Sequence, residues 1–153
     1  MSAIFHIRMA VPGDLDAIMA LLQVNQPVFG RLLRDHVAGE LDPSPGMKRK
    51  YWFVAEQAGQ VVGTIYCYHG LRDISYPNYL CVDASAKGSG IGAHLLEAVE
   101  SQARDMGQKS VQFQCPEGNS ANALYARLGY TNTGRELASR NYLINWERTF
   151  RRT

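Results

Sequence analysis

Apolar residues Phe5, Ile7 and Met9 alternate with His6 and Arg8, the period of a strand with one buried face, which leaves His6 facing solvent. Pro12, Gly13 and Asp14 end that strand. Asp14 is placed to cap a helix whose apolar positions Leu15, Ile18, Met19 and Leu22 share one side. A second helical pattern runs through Val28, Leu32, Leu33 and Val37 and stops near Gly39, before a loop, 42–46, stiffened by two prolines. Two stretches rich in β-branched and aromatic residues, 51–56 and 61–69, flank a turn containing Gly59 and predict an antiparallel hairpin. A strand over 78–82 then leads through Gly88, Gly90 and Gly92 into a long helix. Its positions Ile91, Leu95, Ala98, Val99, Ala103 and Met106 form one apolar face, with Glu97, Glu100, Gln102 and Arg104 largely elsewhere and Gly107 set for a left-handed cap. A strand over 110–115, a short helix over 120–128 and a terminal strand over 141–146 complete the order. Helices, a hairpin and then alternating strand and helix predict an α+β fold, a mixed sheet with helices on its faces.

Composition narrows the reading. The chain has 153 residues, 46% hydrophobic and 20% charged, which suits one domain over 1–153. The net charge of +2 is small, and its basic residues are dispersed apart from Lys48, Arg49 and Lys50 and a tail with Arg148, Arg151 and Arg152. Both clusters read as solvated surface. An anionic ligand fits this balance, and nucleic acid does not. Cys67, Cys81 and Cys115 are odd in number, far apart and set in apolar strands, so they predict buried thiols and neither a zinc site nor a disulfide framework. No leader-like segment or membrane-length apolar run stands out, and a cytoplasmic location is expected.

The glycine cluster 88–92 is the main chemical feature. The first-turn amides of a helix lack intrahelical acceptors and carry partial positive charge, so such an end suits an anion. Three glycines permit unusual φ values and close approach of anion oxygens, and Lys87 adds a mobile cation. Taken alone, the cluster reads equally as a tight turn. A magnesium-nucleotide loop requires Gly-Lys-Ser/Thr, yet Gly92 is followed by Ala93 and His94. A dinucleotide fold requires an acidic residue at the end of the second parallel strand, where Cys115 and Pro116 stand.

The segment 79–107, a strand, the loop Lys87-Gly88-Ser89-Gly90-Ile91-Gly92 and a long helix, resembles the central segment of the GNAT superfamily of acyl-CoA-dependent N-acetyltransferases. Lys87 stands where Arg or Gln is usual. The segment 119–130, with Asn119, Tyr125, Gly129 and Tyr130, is similar to that family's second signature, and the order of elements fits from residue 4 to about 147. The resemblance implies a mixed, mostly antiparallel sheet of six to seven strands with helices on both faces. It implies acetyl-CoA as cosubstrate and no metal, with the pyrophosphate on the amides of Gly88, Ser89, Gly90, Ile91, Gly92 and Ala93 and Lys87 beside it as a cation. The pantetheine arm would run beside Leu80, Cys81 and Val82, where a bulge splays the strand and an amide near Leu80 polarises the thioester carbonyl. Tyr125 would be the catalytic acid that protonates the thiolate. Asn119 and Asn122 would bond to the cofactor; the plainer alternative has Tyr125 packing with Leu128 and Asn119 capping the helix.

Two departures follow from the same comparison. The family's Glu two positions before Leu80 is replaced by Asn78, which cannot take a proton, and the alternatives are Asp73, Glu56, Glu117, His69 or a water chain. The family's Asn seven residues before the tyrosine falls on Gly118, one before Asn119. The acceptor site would border 66–79, whose Tyr66, Tyr68, His69, Arg72, Asp73, Tyr76 and Tyr79 suit an amine of a small molecule or peptide. Neither nucleic acid nor membrane is implied as a partner, and a homodimer stays open. The loss at Asn78 also admits a non-catalytic acyl-CoA-sensing or partner-binding module, which retention of Tyr125 and the glycine loop disfavours.

Overall fold

The computed structural model describes residues 4–25, 34–43 and 48–150. Its strands are β1 (Phe5–Met9), β2 (Lys50–Gln57), β3 (Gln60–His69), β4 (Ile74–Val82), β5 (Ser110–Pro116), β6 (Thr131–Ala138) and β7 (Asn141–Thr149). The helices are α1 (Leu15–Val24), α2 (Arg34–Glu40), α3 (Ile91–Asp105) and α4 (Ala121–Arg127). All seven strands join one sheet in the order β1-β2-β3-β4-β5-β7-β6. Every neighbouring pair is antiparallel except β4 and β5, which are parallel. This is the mixed, mostly antiparallel sheet that the resemblance implied.

Successive strand residues face opposite ways, and the two faces bury different clusters. Phe53, Ala55, Ile65 and Cys67 join α3 residues Ile91, Leu95 and Val99 on one face, together with Tyr125 of α4 and Trp146 of β7. Trp52 and Val54 join α1 residues Ile18 and Leu22 and α2 residue Val37 on the other. Helix α3 can sit this close because Gly63 lies under it. A Cβ there would stand 3.0 Å from Ile91 Cγ2 and 3.2 Å from Leu95 Cδ1.

Several expectations change in detail. Asp14 does not cap α1; its carboxylate faces back to β1, accepting from Arg8 Nη1 at 2.7 Å, Arg8 Nη2 at 3.0 Å and the Val11 amide at 2.8 Å. Glu100 lies within the apolar face of α3, because its carboxylate accepts from the Tyr130 hydroxyl at 2.6 Å and sits 3.6 Å from Arg148. Strand β4 starts four residues before the expected position and carries Pro77 within it, and β6 was not anticipated. The hairpin, the long helix and the positive φ at Gly107 match the reading. All three cysteines are buried and free. Val28, Leu32 and Leu33, most of the proline loop, and Arg151 and Arg152 lie outside the described residues. Among the described residues no helix is long and apolar enough to cross a membrane.

The Arg8–Asp14 pair gives a stability prediction. Arg8 holds the Asp14 carboxyl below the usual carboxylate range, the hydrogen bonds outweighing desolvation. A carboxyl depressed on folding contributes stability above its unfolded pKa, near 4, and loses it as pH falls through the folded value. Asp14→Asn is therefore expected to cost about 1–3 kcal/mol at pH 7. Urea titration should show the wild type and variant converging as pH drops below 4.

Candidate functional site

Strands β4 and β5 are paired at only two positions, Ile74 with Ser110 and Ser75 with Val111. Beyond Ser75 they part. The apex is pinned from within: His69, fully buried at the end of β3, shares a hydrogen bond through Nδ1 with Ser75 Oγ at 2.7 Å and reaches Gln102 Oε1 of α3 through Nε2 at 2.6 Å. Burial lowers the His69 pKa, so the ring is neutral and serves this network.

A bulge sharpens the divergence on the β3 side. Thr64 opposes Cys81 whereas Tyr66 opposes Asn78, so two steps on β3 match three on β4. Tyr79 takes up the surplus at φ 56°, and the Asn78 Oδ1 accepts from its amide at 2.8 Å. The result is a cleft of about 1420 Å³ between the two halves of the sheet. Leu80, Cys81 and Val82 line one wall, Lys87 and Gly88 the mouth, and Asn119 and Tyr125 the floor near α4. Cys81 offers the cleft its backbone and not its thiol. Its Sγ accepts from Asn25 Nδ2 at 2.7 Å and donates to the Leu21 carbonyl at 3.3 Å, and burial pushes the thiol up to about 11.

At the mouth, Gly88 and Gly90 hold φ values of 83° and 87°, and Gly90 is the residue before the first turn of α3. Gly92 was expected to share that freedom but lies inside the helix with no positive φ; a Cβ there would make ordinary contact with Leu124 and approach Leu80. From Gly88 to Ala93 no backbone amide donates a hydrogen bond to a described residue. The Ser89 hydroxyl bonds the Ala86 carbonyl, and the Ile91 side chain is buried in the core, so both residues present main chain to the loop. His94 Nδ1 donates to the Gly90 carbonyl at 2.8 Å, which holds the loop shut on its far side.

Tyr125 is 7% exposed, its ring set edge-on to Phe113 at 4.6 Å and beside Trp146 at 6.0 Å. Among the described residues its hydroxyl has no hydrogen-bond partner, yet no buried polar side-chain atom there lacks one. The small exposed part of Tyr125 is therefore its hydroxyl, in the cleft it lines. Burial raises the phenol well above its ordinary value, so it stays protonated far into the alkaline range.

Other candidates fall differently. Asn119 lines the cleft while its Oδ1 accepts from the Ala121 amide at 2.8 Å, the capping role weighed above. Asn122 is taken away from the cleft: its Nδ2 donates to the Pro116 and Asn119 carbonyls, and its Oδ1 accepts from Trp146 Nε1 at 2.8 Å. Of the base alternatives, Glu56 pairs with Arg8, Asp73 with Lys109 and Glu117 with Arg135, His69 is sealed in its network, and none of the four lines the cleft. Tyr66, Tyr68, Tyr76 and Tyr79 do line it; Arg72 does not. Sequence reasoning missed Glu136 of β6 and Glu147 of β7, which line the opposite wall. Nothing local marks them: Glu136 falls where no strand was expected, and Glu147 just past the expected end of the terminal strand. Among the described residues no group of three or more His, Cys, Asp or Glu side chains gathers to hold a metal.

A family model described as an acetyltransferase (GNAT) domain matches residues 31–144. The fold is similar to that of the ribosomal-protein-alanine N-acetyltransferase of Brucella melitensis, with TM-score 0.77 and 23% identity over 95% of this chain and 99% of that one. It is similar also to an aminoglycoside 6'-N-acetyltransferase complexed with coenzyme A, with TM-score 0.82 and 15% identity over 97% and 99%. The PaiA N-acetyltransferase of Thermoplasma acidophilum, in complex with coenzyme A, gives TM-score 0.78 and 13% identity over 96% and 99%. No curated protein sequence is a significant match to this one.

Proposed function

The chain belongs to the acetyltransferase (GNAT) domain family, and from that membership we propose that it transfers an acetyl group from acetyl-CoA to a primary amine of a small molecule or peptide by direct attack. The observation that carries this reading is the hydroxyl of the buried Tyr125, protonated and unpartnered where it meets the cleft, whose other wall is the edge of β4 that has parted from β5.

The residues present suit the cosubstrate. Free amides from Gly88 to Ala93, at the positive end of a fifteen-residue helix, match a pyrophosphate, with Lys87 as a mobile counter-charge. The edge of β4 released from β5 offers main-chain donors and acceptors to the amide groups of an extended arm. Acetyl-CoA, when bound, supplies an activated thioester and a thiolate leaving group.

Residues of the chain then position and protonate. An amide of β4 near Leu80 donates to the thioester oxygen as charge builds on it. The neutral acceptor nitrogen forms a bond to the acetyl carbon as the carbon–sulfur bond breaks, and its surplus proton leaves to solvent through the cleft. Tyr125 gives its proton to the departing sulfur and regains one from solvent. The family's activity and this placement of Tyr125 favour catalysis over a module that only binds.

Thiol release from acetyl-CoA with a panel of primary amines, alongside calorimetry with acetyl-CoA, tests the proposal. Neither binding nor release would end it. Because none of the base alternatives named from sequence lines the cleft, the rate is expected to follow the acceptor's own ionisation. Accordingly kcat/KM should climb about tenfold per pH unit until the amine's pKa, and a plateau near neutrality would instead reveal a base in the protein.

A further inference from the structure

The wall of the cleft opposite β4 is the half-sheet β5-β7-β6. Phe113, Cys115 and Trp146 turn to the face packed by α3 and α4, so the alternate residues turn to the opposite face. Register sets Gln112 opposite Glu147, Gln114 opposite Asn145, and Glu136 opposite Leu143. Gln114 Nε2 donates to Asn145 Oδ1 at 2.8 Å and to Glu136, tying the middle of this face together.

Among the described residues Glu136 and Glu147 lack a counter-charge. Glu147 accepts from the Thr149 hydroxyl at 3.1 Å, and no Lys, Arg or His of the described residues lies within 4.0 Å of either carboxylate. Glu147 is half-buried and Glu136 exposed; a half-buried carboxylate at a cleft wall attracts a cation more strongly than one in open water, because the surrounding dielectric is lower. A further feature points to a ligand in the same cleft, namely the unpartnered hydroxyl of Tyr125, the open tip of a residue otherwise more than nine-tenths buried. On the β4 side the rings of Tyr68 and Tyr76 stack 15° from parallel at 6.3 Å and offer an apolar surface between the two polar ends.

We propose that the acceptor is a linear aliphatic diamine or polyamine. One nitrogen reacts beside Tyr125, the methylenes lie along Tyr68 and Tyr76, and a remote ammonium is held by Glu147 or Glu136. Four residues of β7 separate Glu147 from Leu143, the neighbour of Glu136, about 13 Å of strand. The two carboxylates stand closer than their backbones, because Gln114 draws Glu136 to the level of Asn145, and either can take the remote ammonium. A peptide would need main-chain partners, whereas this face presents side chains. The inference rests on the acetyl-transfer reading above.

Thiol release with 1-aminobutane, 1,4-diaminobutane, spermidine and a short alanine-first peptide tests it in the wild type and in Glu136→Gln, Glu147→Gln and the double variant. Expected are kcat/KM values at least tenfold higher for diamine and spermidine than for monoamine, with that ratio falling towards one in the double variant. Equal values for monoamine and diamine, a higher value for the peptide, or a ratio unmoved by the double variant would overturn it. Calorimetry with spermidine separates the two readings. Absence of thiol release with every amine overturns acetyl transfer, and spermidine that binds the wild type but not the double variant then upholds the cation site by itself. Spermidine that binds neither overturns both.

Discussion

Tyr125→Phe is expected to lower kcat by about a hundredfold or more, the usual contribution of a positioned general acid, with acetyl-CoA affinity and stability nearly unchanged. The reason for the clean separation is structural. The hydroxyl gives no hydrogen bond to the protein, so its loss leaves no orphaned partner, and phenylalanine keeps the edge-on contact with Phe113 and the neighbourhood of Trp146. Tyr125→Ala would mix two effects, because removing a buried ring costs about 3–5 kcal/mol. Paired measurements of turnover, calorimetric binding and thermal midpoint on the Phe variant decide the matter. A kcat equal to the wild type's would remove Tyr125 from the acid role and leave the fold and cofactor site standing.

The second large effect is expected at the mouth of the cleft. Gly90 holds φ 87° immediately before α3, in the left-handed region where a β-branched side chain is strained. In Gly90→Val the residue either stays there, at a cost of about 1–2 kcal/mol, or relaxes and turns the amides of 91–93 away from a common centre. Either outcome weakens an anion site made of main-chain donors. Acetyl-CoA affinity should fall at least tenfold, which corresponds to about 1.4 kcal/mol, whereas Gly92→Ala, whose Cβ meets only ordinary contacts, should bind within a few-fold of wild type. Calorimetric affinities that are equal for the two variants would argue that the left-handed turn does not shape the site.

What the chain revealed by itself was what depends on neighbours in sequence. The hairpin β2–β3, the turn at Gly88 and Gly90 and the stripe of α3 from Ile91 to Ala103 follow from local period and turn residues and appear where expected, whereas Met106 is exposed just past the helix end and Gly92 lies within the helix. Strand β6 left no such trace, because Thr131 to Leu137 are all exposed and no buried face imposes alternation. Pro77 concealed the first half of β4 by looking like a break. The helical stripe was also too simple at Glu100, whose burial depends on Tyr130 and Arg148, thirty and forty-eight residues away.

At the candidate site the same division holds. Tyr125 and the loop 87–93 were nameable from two matched segments, but the fate of individual polar groups was not. Asn122 and His69 are residue types that often serve ligands, and here each is consumed by bonds to distant partners. Glu136 and Glu147 reach the cleft only because β7 inserts between β5 and β6, a strand order that no local pattern encodes.

The narrow join between β4 and β5 also bears on how the molecule comes apart. Two residue pairs link the half-sheets, while α3 packs across β1, β2, β3, β4 and β5 and so serves as the beam that ties them. Such a joint is a fault line for cooperativity. The amides of β5, β6 and β7 should exchange with solvent as one block, at a lower opening energy than those of β2 and β3. A mutation under α3 would then be felt first as loosening between the two blocks, well before the chain unfolds as a whole.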